Sequence, residues 1–420
     1  MLTAILTTRP MGFLESSSDG DDRSNYTLPR SDDVVQILAS IAANLPKILV
    51  EPDRVLSAAN IISTSVIGPT FKSKSFPENV SKSTLVLLYQ LARLQNTQKS
   101  WKKDLGDAFN DSRFFGSSVS HVESDWLPLL RQWILSDKER MPEILSRVMA
   151  PTTAGIVFGV GATSARLEAD RKTQLNLRRV ASLVLATMND NFVTDLPVMQ
   201  ERIVDLISAT TTSSPSSTTR ADVYLLLRAL ALKTSAVHLA TLWPIINAEL
   251  HAVISSVVAP DHSAASETYN NYSILQACKL LDTLLCIAPD DFQLHEWLFI
   301  TDTIDAVYRP SQFHPSALVD ELSEELGSAA LVSTTQAESA AMQAATSSTR
   351  KPLIGPGGIS DEGSWERKDE LVGKVLRPFF SQLSIFVFES TYSMSVPDWE
   401  ACRVSLLKDL FDEKSIVKAL

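Results

Sequence analysis

Apolar residues spaced three and four apart recur along nearly the whole chain, in segments that open on Pro, Asp or Ser and close on a short polar turn. Only a helix gathers that spacing onto one face, so the chain is constrained to a succession of amphipathic helices. Ser31, followed by Asp32 and Asp33, places a cap and two acids at the positive end of a first helix, with Val34, Ile37, Leu38, Ile41 and Leu45 on its apolar stripe. The same pattern predicts helices over 82–96, 127–136, 142–149, 171–188, 198–209, 222–232, 236–258, 274–287 and 291–307. Strand-like alternation is confined to 383–388.

Short turns between helices, without glycine-rich strand punctuation, predict an all-α fold: a HEAT- or armadillo-like irregular helical solenoid of antiparallel helix pairs. No fixed sequence period stands out, which keeps a compact helical domain as the alternative. Residues 1–30, rich in Ser, Asp, Asn and Pro over 15–30, are expected to be disordered, and a helical-repeat domain is expected over 31–327. Within it 210–219 (TTTSSPSSTT) reads as a connector, and 328–364 reads as a flexible linker ending in GPGGISDEGS. Residues 365–420 resume a folded pattern, with Leu371, Val375, Leu376, Phe379, Phe380, Leu383, Phe386 and Phe388, and are expected to form a helical tail packing back on the body.

A hydrophobic share of 45% against 21% charged residues excludes wholesale disorder. The net charge of -11 opposes broad adsorption onto nucleic acid, so any anionic partner must meet a local basic patch. Cys278, Cys286 and Cys402 are too few and scattered for a disulfide framework and fit a reducing compartment. The opening residues carry no basic region before their apolar stretch, and the strongest apolar run, VYLLLRALAL, is interrupted by Arg228. Any contact with membranes is therefore expected from the surface.

Catalytic constellations are not evident. Gly155, Gly159 and Gly161 lack a following GK[ST]; His295 is followed by Glu296 and Trp297 without a second histidine; Ser164 lacks the elbow glycines; and Asp302 and Asp305 fit a solvated face. Cys278 lies on an apolar helical pattern and is expected in the core. The expectation is a protein that is not an enzyme and uses no cofactor or metal.

Two basic clusters are candidate contacts for anionic lipid or an acidic partner. Arg171, Lys172, Arg178 and Arg179 form two pairs seven residues apart, on neighbouring stripes of one helix. Lys99, Lys102 and Lys103 flank Trp101 in a basic and aromatic mix suited to a lipid interface. For the first cluster the plainer alternative is a solvated basic face partly neutralised by Glu168 and Asp170, and for the second it is that Trp101 anchors the core; Trp243 is expected to be structural.

WKKDLGDAFNDSRFF from Trp101, DKERMPEILSRV, LLLRALALKTSAVHLATLWPIINAEL and ACKLLDTLLCIAPDDFQLHEWLFITDTIDA, in that order and spacing, resemble the C-terminal region of Dopey-family proteins. The likeness covers 31–305 well and 365–420 more loosely. It implies a non-enzymatic peripheral scaffold of Golgi and endosomal membranes, acting with a large Arf-exchange-factor-like partner and, in fungi, an aminophospholipid flippase. It also implies that the chain is an end piece of a larger protein. The leucine-zipper-like character of the family corresponds to Leu225, Leu232, Leu239 and Ile246, yet Lys233 to Ser235 and Trp243-Pro244 interrupt these heptads, and two core helices are the expected form. An unrelated helical-repeat adaptor or regulatory subunit is the competing reading.

Overall fold

A computed structural model describes residues 31–149, 162–208, 217–258, 268–300, 317–319, 322, 326, 349–392 and 395–417. These residues are mostly helical, as the all-α reading expects, and divide into two compact units, Met1–Arg140 and Met141–Leu420.

The first unit contains α1 (Ser31–Ala42), α2 (Pro52–Ile62), α3 (Lys82–Arg93), α4 (Gln98–Asn110) and α5 (Leu127–Leu135). The Ser81 side chain accepts from the Thr84 N–H and so caps α3, which lies against α1, α4 and α5. Its core is aromatic: Trp126 stacks on Phe71 at 5.5 Å and meets Phe114 edge-on at 5.0 Å, while Phe109 meets Trp133 edge-on at 5.5 Å. Gly106 makes the α4 to α5 approach possible, because a Cβ there would sit 3.3 Å from Trp133 Cζ2.

Helices swell into one turn of π-helix at Ser63–Ile67, Val122–Trp126 and, in the second unit, Val372–Leu376. Each turn precedes a proline: Pro69, Pro128 or Pro378. A proline lacks the N–H and its ring presses on the carbonyl four residues back, here Ser65, Ser124 and Lys374, each inside the widened turn. The helix yields by bulging and continues.

The second unit contains α6 (Ala162–Ala186), α7 (Leu196–Ser208), α8 (Ser217–Lys233), α9 (Trp243–Ser255), α10 (Asn271–Ile287), α11 (Arg377–Tyr392) and α12 (Trp399–Leu410). Helix α8 runs between α6 and α10, α7 lies on α8, and α9 lies on α10. Buried residues run unbroken over 173–187 in α6, 219–232 in α8 and 272–287 in α10. Over these stretches the helices are covered on all sides and have no solvated face for a charge to occupy. Helix α12, from the expected tail, lies against α8 and α10. Two-residue strands, β1 (Thr349–Arg350) and β2 (Val396–Pro397), pair in parallel.

Several expectations change. The helix expected over 236–258 is split into Ala236–Leu239 and α9, with Pro244 in the first turn of α9, where its missing N–H has no helical partner to lose. That expected over 291–307 is one turn, Asp290–Gln293, then a 3-10 turn, Glu296–Leu298; Asp302 and Asp305 lie outside the described residues. The alternation at 383–388 lies inside α11. Ser217 to Thr219 begin α8 and are not connector. From Thr349 onward the expected linker is part of the fold, with Leu353, Ile354 and Ile359 buried, because its backbone is anchored by an aspartate of α10. Residues 1–30, 328–348 and the glycines 155, 159 and 161 lie outside the described residues.

Leu225, Leu232, Leu239 and Ile246 are all buried, on α8, the short helix and α9, with turns between them. Trp243 is 2% exposed, against Phe292 at 5.8 Å. Trp243→Ala is expected to lower unfolding stability by about 3–5 kcal/mol, the range for losing a buried tryptophan. Urea titration followed by circular dichroism measures it; a loss below about 1 kcal/mol would place Trp243 outside the core.

Candidate functional site

The principal polar cluster is a buried ionic clamp that α6, α8 and α10 close on the C-terminal helix. Arg228, in the middle of α8 and 1% exposed, donates through Nη1 to Asp409 Oδ2 at 2.5 Å and to Gln276 Oε1 at 3.2 Å, and through Nη2 to Ser405 Oγ at 3.1 Å. Lys279 of α10 donates to the other Asp409 oxygen at 2.6 Å and to Asp361 Oδ2 at 2.6 Å. Burial pushes the Asp409 carboxyl up, but Lys279 and then Arg228 outweigh it and hold the group below its ordinary range.

One helix over, Arg178 of α6 is fully buried. Its Nε donates to Asp222 Oδ1 at 2.7 Å, its Nη1 to the carbonyls of Leu410 (2.9 Å) and Asp412 (3.0 Å), and its Nη2 to Ser415 Oγ at 2.7 Å. The guanidinium thus satisfies carbonyls at the end of α12 that the helix leaves without partners, and its charge meets the negative end of the helix dipole. Burial opposes that charge, but the pull of Asp222 leaves Arg178 above its ordinary value. Gln174 bridges Asp222 Oδ2, at 2.6 Å, to the Val417 N–H, at 3.0 Å.

Asp282 on α10 performs the anchoring of the 349–364 segment. Its Oδ1 accepts from the Leu353 N–H at 2.9 Å and its Oδ2 from the Ile354 N–H at 2.8 Å. Burial pushes this carboxyl up to about 7; the two backbone donors, Arg228 and Lys279 pull the other way. A second buried group joins α8 to α9: Glu249 accepts from Tyr224 Oη at 2.6 Å and from Arg220 Nη1 at 3.1 Å.

The basic candidates separate sharply. Arg178 and Arg179 are buried, Arg179 bonding Asn176 Oδ1 at 2.8 Å, so neither reaches lipid. The seven-residue spacing assumed a helix with one wet face, whereas α6 is enclosed from Thr173 onward. Arg171 is partly exposed, and Lys172 is exposed near Glu168 at 3.6 Å. In the other cluster Lys102 donates to the Ser136 carbonyl at 2.7 Å, Trp101 is fully buried, and Lys99 and Lys103 are exposed. Among the described residues no three His, Cys, Asp or Glu side chains converge on a metal-sized site, and no helix is long and apolar enough to cross a membrane.

Arg228, Lys279, Asp282 and Asp409 were not singled out as a group from the sequence. The signal was present: a charge inside VYLLLRALAL, and two inside QACKLLDTLLC, on helices with no polar stripe to carry them. A charge in such a place requires a partner from a distant segment. The chemistry of the cluster is anchoring, since its cations and carboxylates already bond one another.

Apolar side chains do reach solvent at one end of the second unit. Val237 is 73%, Leu294 72% and Trp297 60% exposed, on elements next to the contact between Ala236–Leu239 and Asp290–Gln293.

A family profile described as DOP1 C-terminal matches residues 1–393. The chain is similar to Protein dop1 of Emericella nidulans, 47% identical over 99% of this chain and 22% of that protein. It is also similar to Protein DOP1 of Saccharomyces cerevisiae, 26% identical over 83% of the chain and 19% of the relative, and to Protein DOP1B of Xenopus laevis, 27% identical over 64% and 12%. The chain therefore spans about a fifth or less of these relatives. No solved structure matches it.

Asp409→Ala leaves Arg228 and Lys279 facing a buried void and is expected to cost about 3–5 kcal/mol, measurable by urea unfolding. A cost under about 1 kcal/mol would mean that α12 is held by apolar contact alone. Asp282 gives a pH dependence of defined sign. Its folded value of about 7 lies above its ordinary 3.8, so its contribution to stability is fully present below about 4 and is lost as pH rises through about 7. Relative to Asp282→Asn, which cannot titrate, the wild-type chain should lose stability between pH 4 and 7; parallel stability curves for the two would refute the assignment.

Proposed function

The chain belongs to the DOP1, or Dopey, family, and we propose that it is the C-terminal part of a non-enzymatic peripheral scaffold in Golgi and endosomal membrane traffic. Family membership is the observation that carries this reading; membership also removes an unrelated repeat adaptor from consideration. In this proposal the whole protein, of which the chain spans about a fifth, binds a large Arf-exchange-factor-like protein and, in fungi, an aminophospholipid flippase. It works from the cytoplasmic side without turnover or cofactor. The internal commitment of Arg178, Arg228, Lys279, Asp222 and Asp409 supports a structural role for the charged interior.

The proposed architecture is HEAT-like: α6, α8 and α10 form one layer, with α7 and α9 as alternate members of a second layer. The neighbour relations within the second unit support it. Membrane contact, in this reading, falls to exposed basic side chains such as Lys99 and Lys103 and no longer to Arg178 and Arg179.

Affinity capture of the tagged protein at its native locus, with mass spectrometry of its companions, tests both parts when run on wild type and on Lys99→Glu with Lys103→Glu. Recovery of the exchange-factor-like protein or a flippase with wild type is expected, and the double variant should keep its protein partner while losing Golgi association. A different stable complex containing neither partner would overturn the trafficking role. Unchanged Golgi association of the variant would remove the two lysines from the membrane contact.

A further inference from the structure

Cys286 on α10 and Cys402 on α12 are 116 residues apart in sequence and face each other with their sulfurs 3.6 Å apart, both fully buried. Cys402 donates its S–H to Cys286 Sγ, and Cys286 donates its own to the Arg350 carbonyl at 3.1 Å. That carbonyl also accepts from the Asp398 N–H at 2.8 Å, beside the two-residue pairing of β1 with β2. Cys278, also buried, lies eight residues before Cys286 on α10, about two turns away.

From this geometry we infer that Cys286 and Cys402 form a thiol-pair modification site, which a peroxide oxidises to a disulfide tying α12 covalently to α10. A disulfide bond is about 2.05 Å long, so the sulfurs must approach by about 1.5 Å, and the two helices are already in contact. The reaction balances as two thiols and one hydrogen peroxide giving one disulfide and two waters. One sulfur is first oxidised to the sulfenic acid, with loss of its proton and release of water. The second sulfur then attacks the first, its proton leaving with the hydroxyl as the second water.

The hydrogen bond shared within the Cys286–Cys402 thiol pair, and burial, raise the Cys286 thiol, which disfavours the thiolate. Oxidation is therefore slow in the closed structure and proceeds when the short pairing of β1 with β2, which shields the Arg350 carbonyl side, opens locally. The same arrangement makes the product specific, because whichever sulfur is oxidised first has the other as its neighbour. The cross-link reinforces the contact that Asp409 makes with Lys279 on the same pair of helices.

Treating the folded chain with hydrogen peroxide, alkylating under denaturing conditions and mapping tryptic peptides without reduction tests the site; cleavage after Lys279 separates Cys278 from Cys286. The expected product is a peptide pair linked through Cys286 and Cys402, two hydrogens lighter than the free peptides and split by dithiothreitol, with Cys278 recovered alkylated. Cys278→Ser should give the same link, and its retained circular dichroism shows that the link forms in folded protein. Recovery of Cys286 and Cys402 as free thiols or as sulfinic and sulfonic acids, or links that include Cys278, would overturn the proposal.

Discussion

Asp409 is the group on which the second unit turns. It gives one carboxylate oxygen to Arg228 of α8 and the other to Lys279 of α10, and it does so from the last turn of a helix far along the chain. Ion pairs in a dry interior repay little more than the cost of taking the charges from water, so this one is poor at adding stability and good at selecting an arrangement. Any register of α12 that displaced Asp409 would leave buried Arg228 without its bonded carboxylate and Lys279 with Asp361 alone. Arg178 enforces the same register from α6 by gripping the carbonyls just beyond α12. Apolar contact makes α12 adhere to α8 and α10; the charges determine where.

The charged interior also accounts for what could be read from the sequence and what could not. Helical spacing located α1, α3, α5, α6, α7, α8 and α10, since burial of an apolar stripe is a local property of side-chain order, but it set no bounds for α2, α4 or α12. It misjudged α6 because Arg178 and Arg179 look the same in a list of residues whether the helix has one wet face or none. Enclosure of α6 follows from the number of neighbours, and those arrive from α8 and the C-terminal segment. The break of the expected 236–258 helix was visible as Trp243-Pro244, whereas the anchoring of 349–364 was not: a low-complexity glycine and proline stretch acquires its place from Asp282, seventy residues earlier. The π-helical turns lay between, legible as a proline within an apolar run only once the carbonyl four residues back is considered.

Among the described residues the chain encloses five cations, Arg178, Arg179, Arg220, Arg228 and Lys279, together with six acids, Asp125, Asp170, Asp222, Glu249, Asp282 and Asp409, so burial leaves the acidic balance of the total charge of -11 in place. The buried cations are not available to an anionic surface. General attraction to anionic membrane is then weaker than a count of basic residues would indicate, and any such contact must be local and oriented. Exposed Lys99 and Lys103, on a helix whose Trp101 is fixed in the core, have that character.

The exposed Val237, Leu294 and Trp297 are of a different kind from single apolar side chains scattered over a surface, which require no account. They lie on or next to the short helices Ala236–Leu239 and Asp290–Gln293, and the second of these carries Phe292, which is buried against Trp243 and Phe299. Rigidity there matters for recognition, because a side chain already held in place loses little conformational freedom when a partner covers its neighbours. The division of labour is therefore physical. Charges placed inside fix the helices to one another, and with the interior fixed, the surface left outside has a definite shape.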